Sequence, residues 1–193
     1  MSTAPQLERP MTAEDLAGVP EDGRRYEVIG GELIVSPSPS QRHQYVSTKL
    51  IHLFQSHFQD SGDGMVFAAP FDVRLGTHDV VQPDLVVVLK RNRSRLHDDA
   101  VVGAPDLVIE IVSPSSARID RVRKAALYAS YGVPEYWIVD PDARTILAQS
   151  LVDGRYQTMT PEDDLIHSGV LPGLVIDPSD VFVMPDWMSE DPR

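Results

Sequence analysis

The sequence predicts one domain of the mixed α/β (α+β) class, in which helices flank a central mixed β-sheet. Three observations indicate this class: predicted helices and strands alternate along the chain, the segments at residues 82–89 and 106–112 have the β-branched composition of buried strands, and no internal repeat is present. The length of 193 residues fits a single domain. We place the core at about residues 11–160 and expect residues 161–193 to form a partly loose C-terminal extension.

The first part of the chain is predicted to form a short helix, a β-hairpin and a long helix. Thr12 can cap a helix over residues 11–19, and a Gly-Gly pair turns a hairpin with strands at residues 26–29 and 32–35. A Ser-Pro-Ser-Pro-Ser segment follows, and then apolar residues recur at helical spacing. This spacing predicts an amphipathic helix over residues 41–58, with the apolar positions Val46, Leu50, Leu53 and Phe54.

The remaining strands are predicted on both sides of one further helix. A strand over residues 65–75 is interrupted by Pro70, and the strands that carry Asp84 and Glu110 follow it, separated by a basic loop. After the helix, an antiparallel meander and a weaker final strand are expected at residues 135–139, 145–151, 155–159 and 181–184.

The intervening helix has recognisable ends. Ser115 or Ser116 can cap its N-terminus, and it is expected to run to about Tyr131 with Gly132 as the C-terminal cap. The residues expected to face the core are Ile119, Val122, Ala126 and Ala129.

The distribution of charge bears on the class of partner. The formal net charge is -12, which argues against a polyanionic partner. Eight of the 17 Lys and Arg residues nevertheless fall between positions 90 and 124. This basic stretch is either a candidate path for phosphate groups or a solvated loop and helix face.

The composition excludes several other classes. The absence of cysteine rules out disulfides, thiolate zinc sites and a cysteine nucleophile, and it fits a cytoplasmic protein. No signal-like N-terminus and no run of about 18 apolar residues occurs, so we expect no membrane association. The sequence has no Gly-x-Ser-x-Gly elbow, phosphate-cradling Gly-rich loop or dinucleotide fingerprint, and we expect no organic cofactor.

Two acidic residues in the apolar strands are the strongest functional signal. Side chains alternate along a strand, so Glu110 points away from Ile109 and Ile111, and an ionised carboxylate buried there needs a cationic partner. Asp84 opens a second such strand. If the two strands are neighbours, their carboxylates converge at roughly 5 Å, one strand spacing. Hard oxygen ligands at that separation favour Mg²⁺ or Mn²⁺.

A lysine on the following helix is placed to join these acids. Lys124 lies four residues from both Asp120 and Tyr128, so the three share one stripe of the helix. An ammonium group beside a metal would stabilise negative charge on a phosphate. The alternative is an ordinary surface ion pair between Lys124 and Asp120.

These residues carry a resemblance to a known group of proteins. Pro83-Asp84, then Glu110 on the next core strand, then a lysine, resembles the active-site signature of the PD-(D/E)XK nuclease superfamily. Longer segments across most of the chain more closely resemble the Uma-type restriction-endonuclease-like family, bacterial proteins catalogued as a domain of unknown function. The segments that carry this resemblance lie at residues 26–33, 36–43, 82–88, 105–116, 124 and 132–141.

The resemblance implies a restriction-endonuclease-like core and metal-dependent hydrolysis of DNA phosphodiester bonds. Asp84 and Glu110, with the backbone carbonyl of Ile111, would hold one or two Mg²⁺ (or Mn²⁺) ions. In the simple signature the lysine follows the second acid by two residues, and that position is Val112 here. The resemblance implies that Lys124, displaced onto the following helix, takes the role of that lysine.

Two further residues and an assembly are expected around this site. Glu32 on the hairpin is either an additional acid at the site or an exposed strand glutamate. His43 is either a site residue or a polar residue at the start of the long helix. Because one active site per chain cuts one strand, a homodimer acting on DNA is expected.

Two rival interpretations belong to other classes of function. The first is a binding or regulatory protein that keeps the fold and lacks turnover, which the acidic net charge and the missing in-strand lysine favour. The second is a dimeric interaction protein that uses a sheet edge or the strand of Trp137, with the acids serving only as partners of arginines. In that case a change at Glu110 would affect stability and not activity.

Overall fold

The computed structural model describes residues 9–20, 22–113, 119–185 and 187. Within these ranges the strands are β1 Arg25–Ile29, β2 Glu32–Ser36, β3 Gly64–Ala68, β4 Asp72–Gly76, β5 Asp79–Val81, β6 Leu85–Leu89, β7 Ala100–Val102, β8 Leu107–Ile111, β9 Glu135–Asp140, β10 Thr145–Val152, β11 Arg155–Thr158, β12 Ile166–His167 and β13 Val175–Ile176. The α-helices are α1 Gln41–Ser61, α2 Ala125–Ser130 and α3 Pro178–Phe182. Two 3-10 helices and one π-helix span Ala13–Gly18, Lys90–Arg95 and Ile119–Lys124.

The strands form two mixed sheets and one short hairpin. The six-stranded sheet has the order β11-β10-β9-β8-β6-β3, and the five-stranded sheet has the order β2-β1-β5-β4-β7. In the larger sheet β8 and β9 are parallel, and the helical segment before β9 provides the crossover between them. The other pairs in that sheet are antiparallel, including β6 with β8 and the predicted meander of β9, β10 and β11.

The central strands are buried on both faces because apolar side chains alternate onto two separate cores. From β8, Leu107, Ile109 and Ile111 pack into the core that contains α1. Val108 points the other way, into the core shared with the five-stranded sheet. Glu110 shares the face of Val108, as the strand period predicts.

Helix α1 confirms the predicted amphipathic helix and extends it. Ser40 caps its N-terminus by accepting a hydrogen bond from the amide of His43 at 3.3 Å. The helix continues to Ser61, three residues beyond the predicted end, because the left-handed turn that stops it is at Gly62, with φ 66°. The buried residues at four-residue spacing are Val46, Leu50, Phe54 and Phe58.

The interruption at Pro70 is where the chain passes from one sheet to the other. Before it, β3 pairs with β6 at an edge of the six-stranded sheet, and after it β4 pairs with β5 and β7 in the five-stranded sheet. Strands β5 and β7 were not expected from the sequence, and the loop predicted after β6 contains a 3-10 helix. The short helix near Thr12 is also a 3-10 helix.

The expected core stripe of the helix before β9 is wrong at two of its four positions, whereas Ile119 is partly buried against the core shared with the five-stranded sheet. Val122 is 62% exposed and Ala126 is exposed, whereas Asp120, Lys124 and Tyr128 are buried. The polar stripe faces inward because the sheet presents Glu110 on that side. The π-helix Ile119–Lys124 leads directly into α2, which ends before Gly132 as predicted. The expected caps Ser115 and Ser116 lie outside the described residues.

The expected strand at residues 181–184 is also wrong, because a short helix occupies part of this segment. Asp177 caps helix α3 by accepting from the amide of Ser179 at 2.8 Å, and Pro178 occupies the first turn. Val181 and Phe182 on this helix are buried against the core that contains α1. Leu171, Leu174 and Ile176 from the same extension also lie in this core.

In the part of the chain that the structure describes, no helix is both long enough and apolar enough to cross a membrane.

Candidate functional site

Asp84 and Glu110 lie at the same end of two neighbouring antiparallel strands. Leu85 pairs with Ile109, so the next position along the ladder sets Asp84 against Glu110. The amide of Ile111 donates a hydrogen bond to Asp84 Oδ2 at 2.7 Å. The prediction that the two acid-bearing strands are neighbours is therefore confirmed.

Asp84 is buried and has two basic side chains as partners. Arg25 Nη2 donates to Oδ1 at 2.8 Å, and His43 Nε2 lies 3.1 Å from Oδ2. Burial would raise the pKa of Asp84, but the hydrogen bond with His43 and the charge of Arg25 lower it to about 2. Asp84 is thus ionised at neutral pH.

His43 is brought to the site by the start of α1. Its ring contacts Asp84 through Nε2, whereas Nδ1 is buried and has no hydrogen-bond partner among the described residues. A buried ring nitrogen without a partner is uncommon. The structure thus places His43 beside Asp84, with a side chain that is 13% exposed.

Glu110 is held through one of its carboxylate oxygens. Its Oε1 accepts from Lys124 Nζ at 3.0 Å and from the Tyr128 hydroxyl at 2.8 Å. Within the described ranges, no hydrogen-bond donor meets Oε2. Burial raises the pKa of Glu110 to about 8, although the charge of Lys124 opposes the shift.

Lys124 is the centre of the acidic cluster and not part of a surface pair. Its side chain is 3% exposed, and Nζ lies 2.8 Å from Glu27 Oε1, 3.0 Å from Glu110 Oε1 and 3.7 Å from Asp120 Oδ1. Burial would lower the pKa of Lys124, but the surrounding carboxylates, Glu110 first among them, raise it. Lys124 therefore carries its charge at neutral pH.

Of the two alternatives for Glu32, its position is that of an exposed strand glutamate, and the hairpin supplies Glu27 to the cluster instead. Glu32 lies beside the turn, its side chain is 67% exposed, and it pairs with Arg123 at 2.8 Å, outside the cluster. Glu27, in the middle of β1, is buried and contacts Lys124 instead. It also accepts from the amide of Gln82 at 2.8 Å. The signal for Glu27 was the same as for Glu110, an acid between apolar residues of a strand.

Among the described residues, the cluster contains more acidic than basic side chains. Asp84, Glu110, Glu27 and Asp120 are buried acids, and the permanent cations that the described part of the chain places against them are Arg25 and Lys124. An excess of buried carboxylates is costly unless a proton or another cation compensates it. All of these acids offer the hard oxygen donors that Mg²⁺ and Mn²⁺ prefer.

The carboxylates of the cluster are paired with basic side chains. Among the described residues, no three His, Cys, Asp or Glu side chains converge closely enough to form a ready-made metal site. Arg25 and Lys124 contact the carboxylates instead. Magnesium commonly uses only one or two protein carboxylates and completes its shell with water and phosphate, so the pair Asp84 and Glu110 fits its needs.

A cavity of about 220 Å³ opens onto this cluster. Residues 36–40, the Ser-Pro-Ser-Pro-Ser segment between β2 and α1, form one wall. Asp84, Glu110, Ile111 and Lys124 line the opposite side. The site is therefore accessible to a ligand.

The basic stretch does not form one path to this site. Lys90–Arg95 follows the end of β6, whereas Asp84 precedes its beginning, so five strand residues, roughly 16 Å, separate them. Arg91 pairs with Asp106, and Arg121 pairs with Asp140. The part of the candidate phosphate path at Lys90–Arg95 therefore lies away from Asp84. Arg118 lies outside the described residues.

Trp137 is not available to build a dimer. It is fully buried in the core beside Phe54, and its Nε1 donates to Glu135 Oε1 at 2.6 Å. Its strand β9 lies inside the six-stranded sheet, between β10 and β8. As an interior strand, β9 offers no free edge of the kind that the second rival interpretation needs at this strand.

Comparisons with known proteins give consistent matches. The family model Uma2, described as "Putative restriction endonuclease", matches residues 13–179. The "Uncharacterized protein slr1290" of Synechocystis sp. is 29% identical over 107 residues, which are 54% of this chain and 54% of that protein. The match thus spans about half the length of this curated relative.

A solved structure shares the fold. The crystal structure of "a putative nuclease belonging to DUF820" from Anabaena variabilis matches with a TM-score of 0.74. The match covers 90% of this chain and 98% of that chain, at 21% sequence identity.

Proposed function

The chain belongs to the Uma2 family, described as "Putative restriction endonuclease", and on this premise we propose that it is a metal-dependent endonuclease that hydrolyses DNA phosphodiester bonds. Membership of this family confirms the resemblance seen in the sequence, and the fold match confirms the predicted mixed α/β class. The observation that carries the proposal is the buried contact between Glu110 and Lys124 beside Asp84.

We propose that Asp84 and Glu110, with the backbone carbonyl of Ile111, hold Mg²⁺ or Mn²⁺. Three features support this: the donors are hard oxygens, the cluster has an excess of acids, and Glu110 Oε2 has no donor among the described residues. When bound, such a cation polarises the phosphate and lowers the pKa of an attacking water. The same residues would also set where the phosphate is held.

Lys124 has a defined chemical role in this proposal. It carries its charge at neutral pH, so it acts as a donor that stabilises negative charge on the phosphate and not as a base that accepts the proton. Glu27 and Asp120 hold its ammonium in place, at 2.8 Å and 3.7 Å from Nζ. Tyr128 fixes Glu110 through Oε1 and leaves Oε2 for the cation.

The experiment is a cleavage assay on supercoiled DNA with Mg²⁺ or Mn²⁺. Asp84→Asn, Glu110→Gln and Lys124→Met remove the three proposed functions with little change in size. We expect each to abolish metal-dependent nicking while circular dichroism shows a folded protein. Glu32→Gln, which changes an exposed acid of the same hairpin, is the matched control and should cleave as wild type. Unchanged cleavage in the three site variants would contradict the proposal.

A binding protein without turnover is the second candidate, because Arg25 already occupies Asp84 Oδ1. Calorimetric titration with Mn²⁺ separates the two. If the protein is an endonuclease, it should bind Mn²⁺ and Asp84→Asn should weaken this binding. If it is a binding protein without turnover, Asp84→Asn should leave Mn²⁺ binding unchanged.

We also propose that the protein acts as a cytoplasmic homodimer, since cleavage of both strands by one site per chain requires two chains. Sedimentation velocity with and without a DNA duplex tests this assembly. A monomer under both conditions would contradict it.

A further inference from the structure

Arg25 takes no part in the reaction proposed above, although it makes the shortest ionic contact of Asp84. It begins β1 in the five-stranded sheet and reaches Asp84 at the start of β6 in the other sheet. Its Nη2 lies 2.8 Å from Asp84 Oδ1. This ion pair joins the two sheets at the opening of the site.

Both oxygens of Asp84 have partners. Oδ1 accepts from Arg25, and Oδ2 accepts from the amide of Ile111 and contacts His43 Nε2. The amide of Ile111 is fixed by the sheet. A dication that binds Asp84 through Oδ1 would compete with the Arg25 guanidinium, because the two cations repel each other at this distance.

Arg25 is better placed to move than the other cation of the cluster. Its side chain is 20% exposed and lines the cavity, whereas that of Lys124 is 3% exposed and is enclosed by acids. The guanidinium also sits in the combined field of Asp84, Glu110 and Glu27. A divalent cation would compensate those acids more fully than a single positive charge does.

Resting on the proposed function, we propose that Arg25 is an exchangeable counter-ion of Asp84. Its guanidinium neutralises Asp84 in the metal-free protein, leaves Oδ1 when a divalent cation binds, and then contacts a non-bridging oxygen of the phosphodiester. The planar fork of a guanidinium matches phosphate oxygens well. After the exchange the metal dication neutralises the acids, and the Arg25 guanidinium neutralises the single negative charge of the phosphodiester.

The first test is a calorimetric titration with Mn²⁺ in the absence of DNA. Loss of the competing cation should tighten Mn²⁺ binding in Arg25→Gln by about tenfold, equivalent to about 1.4 kcal/mol. Arg25→Lys keeps a positive charge near Asp84 but has a shorter side chain. Its affinity for Mn²⁺ should therefore fall between those of wild type and Arg25→Gln. Arg24→Gln changes a neighbouring arginine that is exposed and pairs with Asp22, and it should bind Mn²⁺ as wild type.

The outcomes separate this inference from the proposed function. If wild type binds Mn²⁺ and both Arg25 variants bind it equally or more weakly, the counter-ion role is wrong and the metal site stands. If neither wild type nor either variant binds Mn²⁺, both are wrong. Should Arg25→Gln fail to fold, the comparison of Arg25→Lys with wild type decides in the same way.

The second test concerns the phosphate contact. A fluorescent DNA duplex is titrated by anisotropy with and without Ca²⁺, and a gel checks that the duplex stays intact. Adding Ca²⁺ should lower the Kd of wild type for DNA by about tenfold. In Arg25→Gln most of this decrease should be absent. Equal gains in the two proteins, or no gain in wild type, would overturn the contact with phosphate.

Discussion

The same dipeptide, Pro-Asp, precedes two neighbouring strands of the larger sheet, and its surroundings differ between them. Residues 83–84 lead into β6 and residues 105–106 lead into β8, and because these strands are antiparallel the two dipeptides lie at opposite ends of the pair. Each aspartate is buried and binds the last amide of the opposite strand: Asp84 accepts from Ile111 at 2.7 Å, and Asp106 accepts from Leu89 at 2.8 Å. To this extent the two aspartates have the same structural role.

Their remaining partners differ in origin. Asp106 accepts from Arg91 and Asn92, which belong to the 3-10 helix that immediately follows Leu89. Asp84 instead meets Arg25 and His43, which come from the hairpin sheet and from α1. At the Asp84 end, separate elements bring further acids and Lys124 together around Glu110, and a cavity opens onto them. Both aspartates thus accept a hydrogen bond at the end of a strand. Only the one at which distant elements add charged side chains belongs to the candidate site.

The largest expected effect distinguishes the two aspartates directly. Asp84→Asn should reduce metal-dependent DNA cleavage by ~10³-fold or more, because the change removes a proposed metal ligand. Asp106→Asn should leave the cleavage rate of the folded protein unchanged and lower only its stability. Parallel cleavage assays and urea unfolding of both variants check this. Equal loss of cleavage in the two would show that both aspartates are structural.

The next effect concerns Lys124, a buried cation at the Asp84 end of the strand pair that has no counterpart among the described residues at the Asp106 end. Lys124→Met should lower the free energy of unfolding by about 3–5 kcal/mol at pH 8, because it leaves buried acids without their counter-ion. The loss should shrink at pH 5.5, where Glu110, whose pKa burial raises to about 8, is protonated. Urea unfolding at both pH values measures it. A loss below about 1 kcal/mol at pH 8 would mean that the cluster is solvated.

The pH dependence of stability should reveal Glu110 in protein kept in EDTA. A carboxyl whose pKa is raised on folding contributes stability that is fully present below its unfolded pKa and is lost as the pH rises through the folded value. For Glu110 the stability should therefore fall between its ordinary pKa of 4.5 and about 8. Asp84, with a pKa of about 2, acts oppositely: its contribution is present above its ordinary pKa of 3.8 and is lost as the pH falls through about 2.

Urea unfolding across pH 5 to 9 is the measurement for Glu110, and Glu110→Gln is the variant. It should remove most of the decline in stability, while Glu32→Gln should keep it. A decline of the same size in Glu110→Gln would place the titrating group elsewhere.

The smallest effect belongs to the arginine of the Asp106 end. Arg91 is 61% exposed, so solvent screens its ion pair, and Asp106 keeps the donors from Leu89 and Asn92. Arg91→Gln should lower stability by less than about 1 kcal/mol. Arg25→Gln should lower it more, since Arg25 is mostly buried. Thermal unfolding of the two variants side by side gives the comparison, and an equal loss would contradict it.

The convergence of the acids was predictable because it depends on local rules. Strand alternation separated Glu110 from the apolar face, and four-residue helical spacing placed Lys124 on a stripe with Asp120 and Tyr128. The direction of that stripe was not predictable from apolar content. The apolar positions Val122 and Ala126 face outward because the acids of the sheet attract the polar stripe inward.

Which glutamate of the hairpin, Glu27 or Glu32, joins the acidic cluster depends on tertiary structure. Both residues lie in the hairpin, and only the packing of β1 against β5, with Val28 opposite Val80, decides which acid is enclosed. Helix α3 is a different case, because its signals were present. Asp177 followed by Pro178 is a typical helix start, but the apolar residues after it were read as a strand. The partners of Arg91 and Arg25 depend on which strand ends meet, which composition does not reveal.

The π-helical turn Ile119–Lys124 has a consequence for how this sequence can vary among relatives. Substitutions at its outward residues, such as Val122, should be tolerated, whereas changes in length should not. One residue deleted within the turn would rotate everything before it by about 100° relative to α2, or displace Lys124 from the acids by the same angle. Alignments of relatives should therefore show almost no gaps between Ile119 and Tyr128.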